Sequence, residues 1–149
     1  MACYSKVIDI NPLHAAAWNN KGAALYKLDR FAEAIQYFSR AVEINPDEPG
    51  AWSNMGLAKM RLIAGQEVTS ETLTQARQVL ECFSKAVESK PDDAQSWLNK
   101  AIVEGEFLDD RRSGVLSLEK YLQLAREIAI ERERVATIEK IIAEWRRPS

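Results

Sequence analysis

A spacing of 34 residues runs through the first half of this chain. It separates Pro12 from Pro46, Trp18 from Trp52 and Gly22 from Gly56. Several residue types held at one constant offset mean that a single supersecondary unit is being repeated. The best-formed copy is Ala17 to Pro46, AWNNKGAALYKLDRFAEAIQYFSRAVEINP. Its first half sets Trp18, Gly22 and Leu25 at i, i+4 and i+7. Its second half sets Phe31, Ala34, Phe38 and Ala41 at i, i+3, i+7 and i+10. Both spacings follow the 3.6-residue helical period, so each half is an amphipathic helix. Leu28-Asp29-Arg30 interrupts the pattern, with Asp29 placed to cap the second helix, and Pro46 ends that helix near Ile44. Gly22 carries no side chain and faces Ala34 and Phe38, which lets the two backbones approach closely. The unit is a helical hairpin, and one hairpin alone cannot bury both of its faces.

Read outward from this copy, residues 1–12 are the second helix of a hairpin whose first helix is missing. Tyr4, Val7, Ile10 and Pro12 stand 34 residues before Phe38, Ala41, Ile44 and Pro46. The chain is then either a piece of a longer array or carries its own N-terminal cap. Repeat 1 spans 13–46 and repeat 2 spans 47–91. In repeat 2 the spacing stretches to 45: Trp52 to Trp97, Phe38 to Phe83, Ala41 to Ala86 and Pro46 to Pro91. The 11 extra residues fall around 62–74, as a longer turn plus extra helix, with Thr72-x-x-Gln75 as a capping box. Repeat 3 spans 92–126, capped by Asp92 or Asp93. Trp97 and Ala101 take the places of Trp18 and Gly22, while Gly114, Leu118 and Tyr121 arrive one residue late. Past Gly114 no Gly or Pro interrupts the stretch from Ser113 to Trp145, which favours one helix. Phase argues for a bend near 126–131. Leu118, Tyr121, Leu122, Ala125 and Ala129 form one stripe, Val135, Ile138, Ile142 and Trp145 another, about 130° away. Residues 127–149 then form a capping helix, and the whole chain is a single domain.

Composition excludes several classes of function. The 149 residues are 46% apolar and 28% charged, with a net charge of −2 and both signs interspersed. That leaves no basic footprint for nucleic acid and no attraction to an anionic membrane surface. No apolar run reaches the length of a membrane span, and no signal peptide opens the chain. Cys3 and Cys82 are isolated, which fits reduced thiols in a cytoplasmic protein. His14 is the only histidine, so neither a metal site nor a catalytic triad can be assembled around it. No phosphate-binding loop occurs, and Glu127, Glu131 and Glu133 alternate with Arg as on a solvated helix face. No catalytic, cofactor or metal residue is expected, and the chain reads as a non-enzyme.

Trp-x-x-x-Gly, Ala-x-x-x-Phe-x-x-Ala and Asn/Lys-Pro at this period resemble the tetratricopeptide repeat. The residues that carry the resemblance are Trp18, Gly22, Ala34, Phe38, Ala41 and Pro46, then Trp52, Gly56, Phe83, Ala86 and Pro91. The third copy is weaker, with Trp97, Ala101, Gly114, Leu118 and Tyr121. The wording of the first copy is similar to prokaryotic members, archaeal ones in particular. The resemblance implies an all-α, right-handed superhelical array of antiparallel helix pairs, about three repeats plus a C-terminal capping helix. It also implies that the first helices line a concave groove binding protein segments, and that the module is not an enzyme.

Residues about 100° from the Trp/Gly stripe should face that groove. They are Ala16, Asn19, Ala23 and Tyr26, then Gly50, Ser53, Leu57 and Met60, then Gln95, Leu98, Ile102 and Gly105. Asn20, Asn54 and Asn99 recur two residues after each Trp, able to bond a bound backbone or to tie neighbouring helices together. The candidate peptide groove is therefore Asn19, Ala23, Tyr26, Ser53, Asn54, Leu57, Met60, Leu98, Asn99 and Ile102. It is neutral and modestly apolar, suited to a peptide or helix with apolar anchors. Some members clamp a chaperone's C-terminal carboxylates. The matching places here hold Asn19, Ala23, Asn54, Gln95 and Asn99, of which only Asn54 fits, so that clamp is not expected. The Leu25 place becomes Lys59 and then Glu104, charges that adjacent helices would bring together as a structural couple. Trp18, Trp52 and Trp97 read as core, whereas Trp145 on a terminal helix can be exposed. The leading expectation is an interaction scaffold for an unidentified protein partner. The alternatives are self-association through the N-terminal half-hairpin or the C-terminal helix, and a regulatory fragment of a larger protein.

Overall fold

The computed structural model describes residues 2–48, 50–127 and 132–147. Among them every regular element is helical: α1 (Ala2–Ile10), α2 (Ala15–Tyr26), α3 (Phe31–Ile44), α4 (Ala51–Ile63), α5 (Ser70–Ser89), α6 (Ala94–Ile102), a π-helical turn (Val103–Phe107), α7 (Arg111–Glu127) and α8 (Arg132–Trp145). None of these helices is long and apolar enough to cross a membrane. The chain divides into two compact units, one ending at Ser89 and one beginning at Lys90.

In the first unit α2 pairs with α3 and α4 with α5, α3 packs on α4, and α1 packs on α2. Leu25, Ala34, Phe38, Ala41, Ala51, Met55 and Ala58 form its core. Gly22 is required for the closeness of α2 and α3, since a Cβ there would lie 2.7 Å from the Phe38 ring. Gly56 meets Phe83 in the same way, at 3.0 Å. The coupling of Trp to the preceding Pro also has a physical cause. Each indole Nε1–H donates to a proline carbonyl six residues earlier: Trp18 to Pro12 at 2.9 Å, Trp52 to Pro46 at 2.8 Å and Trp97 to Pro91 at 2.9 Å. The proline ends one helix and its carbonyl is free to anchor the next.

Helix starts differ from the sequence expectation in detail. Asp29 does not cap α3. It sits in the left-handed region at φ 57, a place Asp tolerates, and Arg30 becomes the N-cap residue without a side-chain bond. His14 caps α2, its Nδ1 accepting from the Ala17 N–H at 3.1 Å. Asp93 precedes α6, but its carboxylate accepts from the Ser96 hydroxyl rather than from a backbone N–H. The reciprocal cap of α5 is Thr69 with Thr72, not Thr72 with Gln75. The Thr69 N–H donates to Thr72 Oγ1 at 2.7 Å, and the Thr72 N–H to Thr69 Oγ1 at 3.2 Å. Between α4 and α5 the chain turns at Gly65, whose φ of 79 only glycine adopts freely. α5 then runs for 20 residues against 14 in α3.

In the second unit α6 and the π turn pack on α7, and α7 on α8. The π turn explains the late register of α7. The Leu108 N–H donates to the Val103 carbonyl, five residues back, at 3.1 Å, so one additional residue is taken up inside the helix. The turn that follows repeats the first hairpin, with Asp109 at φ 53 matching Asp29. Among the described residues α7 covers Arg111–Glu127 and α8 covers Arg132–Trp145. The apolar stripes of both enter one core with Leu98 and Ala101, as Leu118, Tyr121, Leu122 and Ala125 meet Ile138, Ile142, Val135 and Trp145. Arg126 pairs with Glu139 at 2.8 Å and Arg146 with Glu119 across the two helices. Most of the stretch expected to bend (126–131), together with Ala129, lies outside the described residues. Trp145 is half-buried rather than exposed. Its ring lies on Gly105 and Gly114, and a Cβ on either glycine would collide with it.

Candidate functional site

Seven of the ten candidate groove residues lie on α2 and α4 of the first unit, and two cross-links hold those helices together. Asn54 Nδ2 donates to Asn19 Oδ1 at 3.0 Å, and Arg61 Nε to the Tyr26 hydroxyl at 3.3 Å. Both pairs are 35 residues apart, one repeat plus one residue, so they form two successive rungs between equivalent helices. Asn19 is buried; Ala23, Tyr26, Ser53, Asn54, Leu57 and Met60 are half-buried. The Tyr26 ring is held edge-on to Phe31, with centroids 5.3 Å apart. That contact and the Arg61 bond restrict the ring before any ligand arrives.

The second unit treats its three candidates differently. Leu98 is 7% exposed and lies inside the core. Asn99 is 4% exposed; its Oδ1 accepts from Gln95 Nε2 at 3.1 Å, and its Nδ2 has no partner among the described residues. Ile102 is half-buried against the same core. Gly105, expected to face the groove, lies under the Trp145 ring. Of the three candidates here, Asn99 thus bonds within its own helix rather than in a cross-helix pair such as Asn19–Asn54.

The charged residues in the Leu25 place have different surroundings. Glu104 is 4% exposed, and its carboxylate is engaged inside its own unit by Lys100 and, at 2.6 Å, by the Ser117 hydroxyl. Lys100 also reaches Ser117, at 3.2 Å. Lys59 is half-buried on α4 and makes no ion pair among the described residues. Sequence reasoning missed Arg61. Its signal was available, because Arg61 follows Tyr26 by the same 35 residues that separate Asn54 from Asn19. Cys82 is buried between α4 and α5, and burial pushes its thiol up to about 11, which leaves it an inert packing group.

Residues 15–48 match the family model described as tetratricopeptide repeat. Similar solved structures include MamA 41-end from Desulfovibrio magneticus RS-1, at 22% identity and a TM-score of 0.65, covering 83% of this chain and 63% of that one. The chain thus spans less than two thirds of MamA. The first TPR of Spaghetti (RPAP3), bound to the HSP90 peptide SRMEEVD, is 17% identical with a TM-score of 0.68, covering 85% of this chain and 89% of that one. The TPR2B domain of yeast Sti1, in a complex with pHsp70, is 13% identical with a TM-score of 0.71, covering 89% and 98%. At these identities the likeness is one of fold. No curated protein is similar enough in sequence to count as a match.

Proposed function

We propose that this chain, whose residues 15–48 match the tetratricopeptide-repeat family and whose fold is that of such repeats, binds a peptide or helix of a partner protein on the α2–α4 face of its first unit. The observation that carries this reading is the pair of rungs. Asn19–Asn54 and Tyr26–Arg61 hold two equivalent helices in fixed register, with Ala23, Leu57 and Met60 half-buried beside them. A strip of this kind, with Arg61 as its one cation, offers apolar anchoring sites between polar groups able to bond a backbone. Structures of the same fold that hold chaperone peptides support peptides as the class of ligand. They do not extend to the chaperone tail itself, because Asn19, Ala23, Gln95 and Asn99 place no cation where a carboxylate clamp needs one. In this reading the α2–α4 face is a binding surface without catalytic chemistry.

The test is a Tyr26→Glu/Met60→Glu double variant. Affinity capture from a native lysate, followed by mass spectrometry, identifies what the unaltered chain retains. The double variant should lose that protein while keeping its helical circular dichroism. Retention at an unchanged level rejects this face as the binding surface.

One observation favours a second reading, self-association through the N-terminal half-hairpin. α1 packs on α2 yet leaves Tyr4 37% and Ile10 86% exposed, the unpaired side of a helix whose register calls for a partner. Light scattering decides it: a chain that stays monomeric at high micromolar concentration rules it out. Trp145 gives no such support, since its ring is already seated on two glycines.

A further inference from the structure

One place in the repeat is occupied in three ways. Leu25 is 3% exposed in an apolar core, and Glu104 is buried but neutralised by Lys100 and Ser117. Lys59 alone is a half-buried charge with no counter-ion among the described residues. Its stem packs against the protein while its ammonium has no partner among the described residues, so a carboxylate brought to it would gain an attraction that nothing described in the chain already supplies. The surroundings leave room for one. Lys59 lines a cavity of about 540 Å³ between α3, α4 and α5, beside the lengthened α4–α5 connection. Its apolar lining is Ile35, Leu62 and Ile63, and the amides of Gln66, Gln75 and Gln78 complete it. Leu62 is 42% exposed, so apolar surface here still faces water.

We propose that this cavity binds a short acidic segment of a partner protein. An Asp or Glu carboxylate of the segment meets Lys59, and a neighbouring apolar side chain covers Ile35, Leu62 and Ile63. The chemistry selects a peptide over other anions. A single ammonium matches one negative charge, whereas a phosphate calls for several cationic or backbone donors. Gln66 Nε2 already donates to the Leu62 carbonyl at 2.5 Å, which leaves its Oε1 as an acceptor, and the amides of Gln75 and Gln78 supply donors and acceptors that suit the alternating N–H and C=O groups of a peptide. Three aliphatic side chains are too few to enclose a fatty acyl chain. The site is separate from the α2–α4 face and does not depend on it. Lys59 and Met60 are adjacent on α4, so their side chains leave the helix about 100° apart.

Amide-resolved NMR titration of the full chain tests this with two probes, acetyl-Leu-Glu-Leu-amide and acetyl-Leu-Gln-Leu-amide. The glutamate probe should shift the amides of Leu62, Gln66 and Gln75 and bind at least about tenfold tighter than the glutamine probe. Lys59→Met should abolish that preference and Lys59→Arg should keep it, with both variants retaining the thermal unfolding transition of the unaltered chain. Equal binding of the two probes overturns the proposal, as does a preference that survives Lys59→Met. Sodium octanoate moving these amides while neither peptide does overturns the peptide assignment. Shifts confined to Tyr26 and Met60 place the probe on the α2–α4 face and overturn this site alone.

Discussion

The first hairpin (α2–α3) and the third (α6–α7) are built on one template and solve it with different chemistry. In the first, Gly22 admits the Phe38 ring and Leu25 fills the next turn with aliphatic surface. In the third, Ala101 replaces the glycine and Leu118 the ring, so a methyl group gained on one helix is matched by bulk lost on the other. The leucine becomes Glu104, buried because Lys100 is one turn away and Ser117 stands opposite. One further residue is accommodated as a π turn, and the Gly105 it contains becomes half of the seat for Trp145. Such a repeat keeps its volume and its hydrogen-bond satisfaction, while the residues that deliver them can be exchanged in compensating sets.

The largest expected effect breaks the third hairpin's version of the leucine place. Glu104→Ala leaves Lys100 and Ser117 without their buried acceptor and should destabilise by about 3 kcal/mol, read as a lower urea midpoint. Converting the pair together, as Lys100→Met/Glu104→Leu, imitates the first hairpin and should recover most of that loss. If the double variant is no more stable than Glu104→Ala alone, Glu104 and Leu25 are not equivalent occupants.

A smaller effect sharpens the glycine–ring comparison. Gly22→Ala drives a methyl into the Phe38 ring and should cost about 1–3 kcal/mol despite the better helix propensity of alanine. Adding Phe38→Leu reproduces the Ala101–Leu118 pair and should reduce that cost, which a double-mutant cycle in thermal unfolding measures directly. Strict additivity would show that the two positions are not coupled.

The smallest effect is the one on which the hairpins should agree. Trp18→Phe, Trp52→Phe and Trp97→Phe each remove one indole N–H from a proline carbonyl, at about 0.5–1.5 kcal/mol apiece. A markedly larger loss at one of them in denaturant unfolding would mark that tryptophan as core rather than anchor.

The proposed binding face was legible only in part. The spacing of Asn19, Ala23 and Tyr26 and of Ser53, Leu57 and Met60 put these residues on helix stripes, because stripe membership depends on period alone. It did not show that Asn54 is spent on Asn19, or that Arg61 completes a second rung, because each bond joins helices 35 residues apart. For the same reason, the unpaired state of Lys59 and the cavity beside it were outside its reach.

What the sequence determined is what a constant offset and a helical period can encode. That covers the paired helices, the closeness at Gly22 and Gly56, the stop at each proline, and the misfit of one residue in the third copy. These depend on neighbours within a turn or two, or on a partner at a fixed distance along the chain. The tertiary structure decided which of several nearby polar groups captures each side chain. Asp29 went to a left-handed turn instead of a cap, Glu104 to Lys100 and Ser117, and Trp145 to a pair of glycines. Those outcomes follow from which surfaces meet and how much space remains between them, and space is a property of the packed chain rather than of any stretch of it.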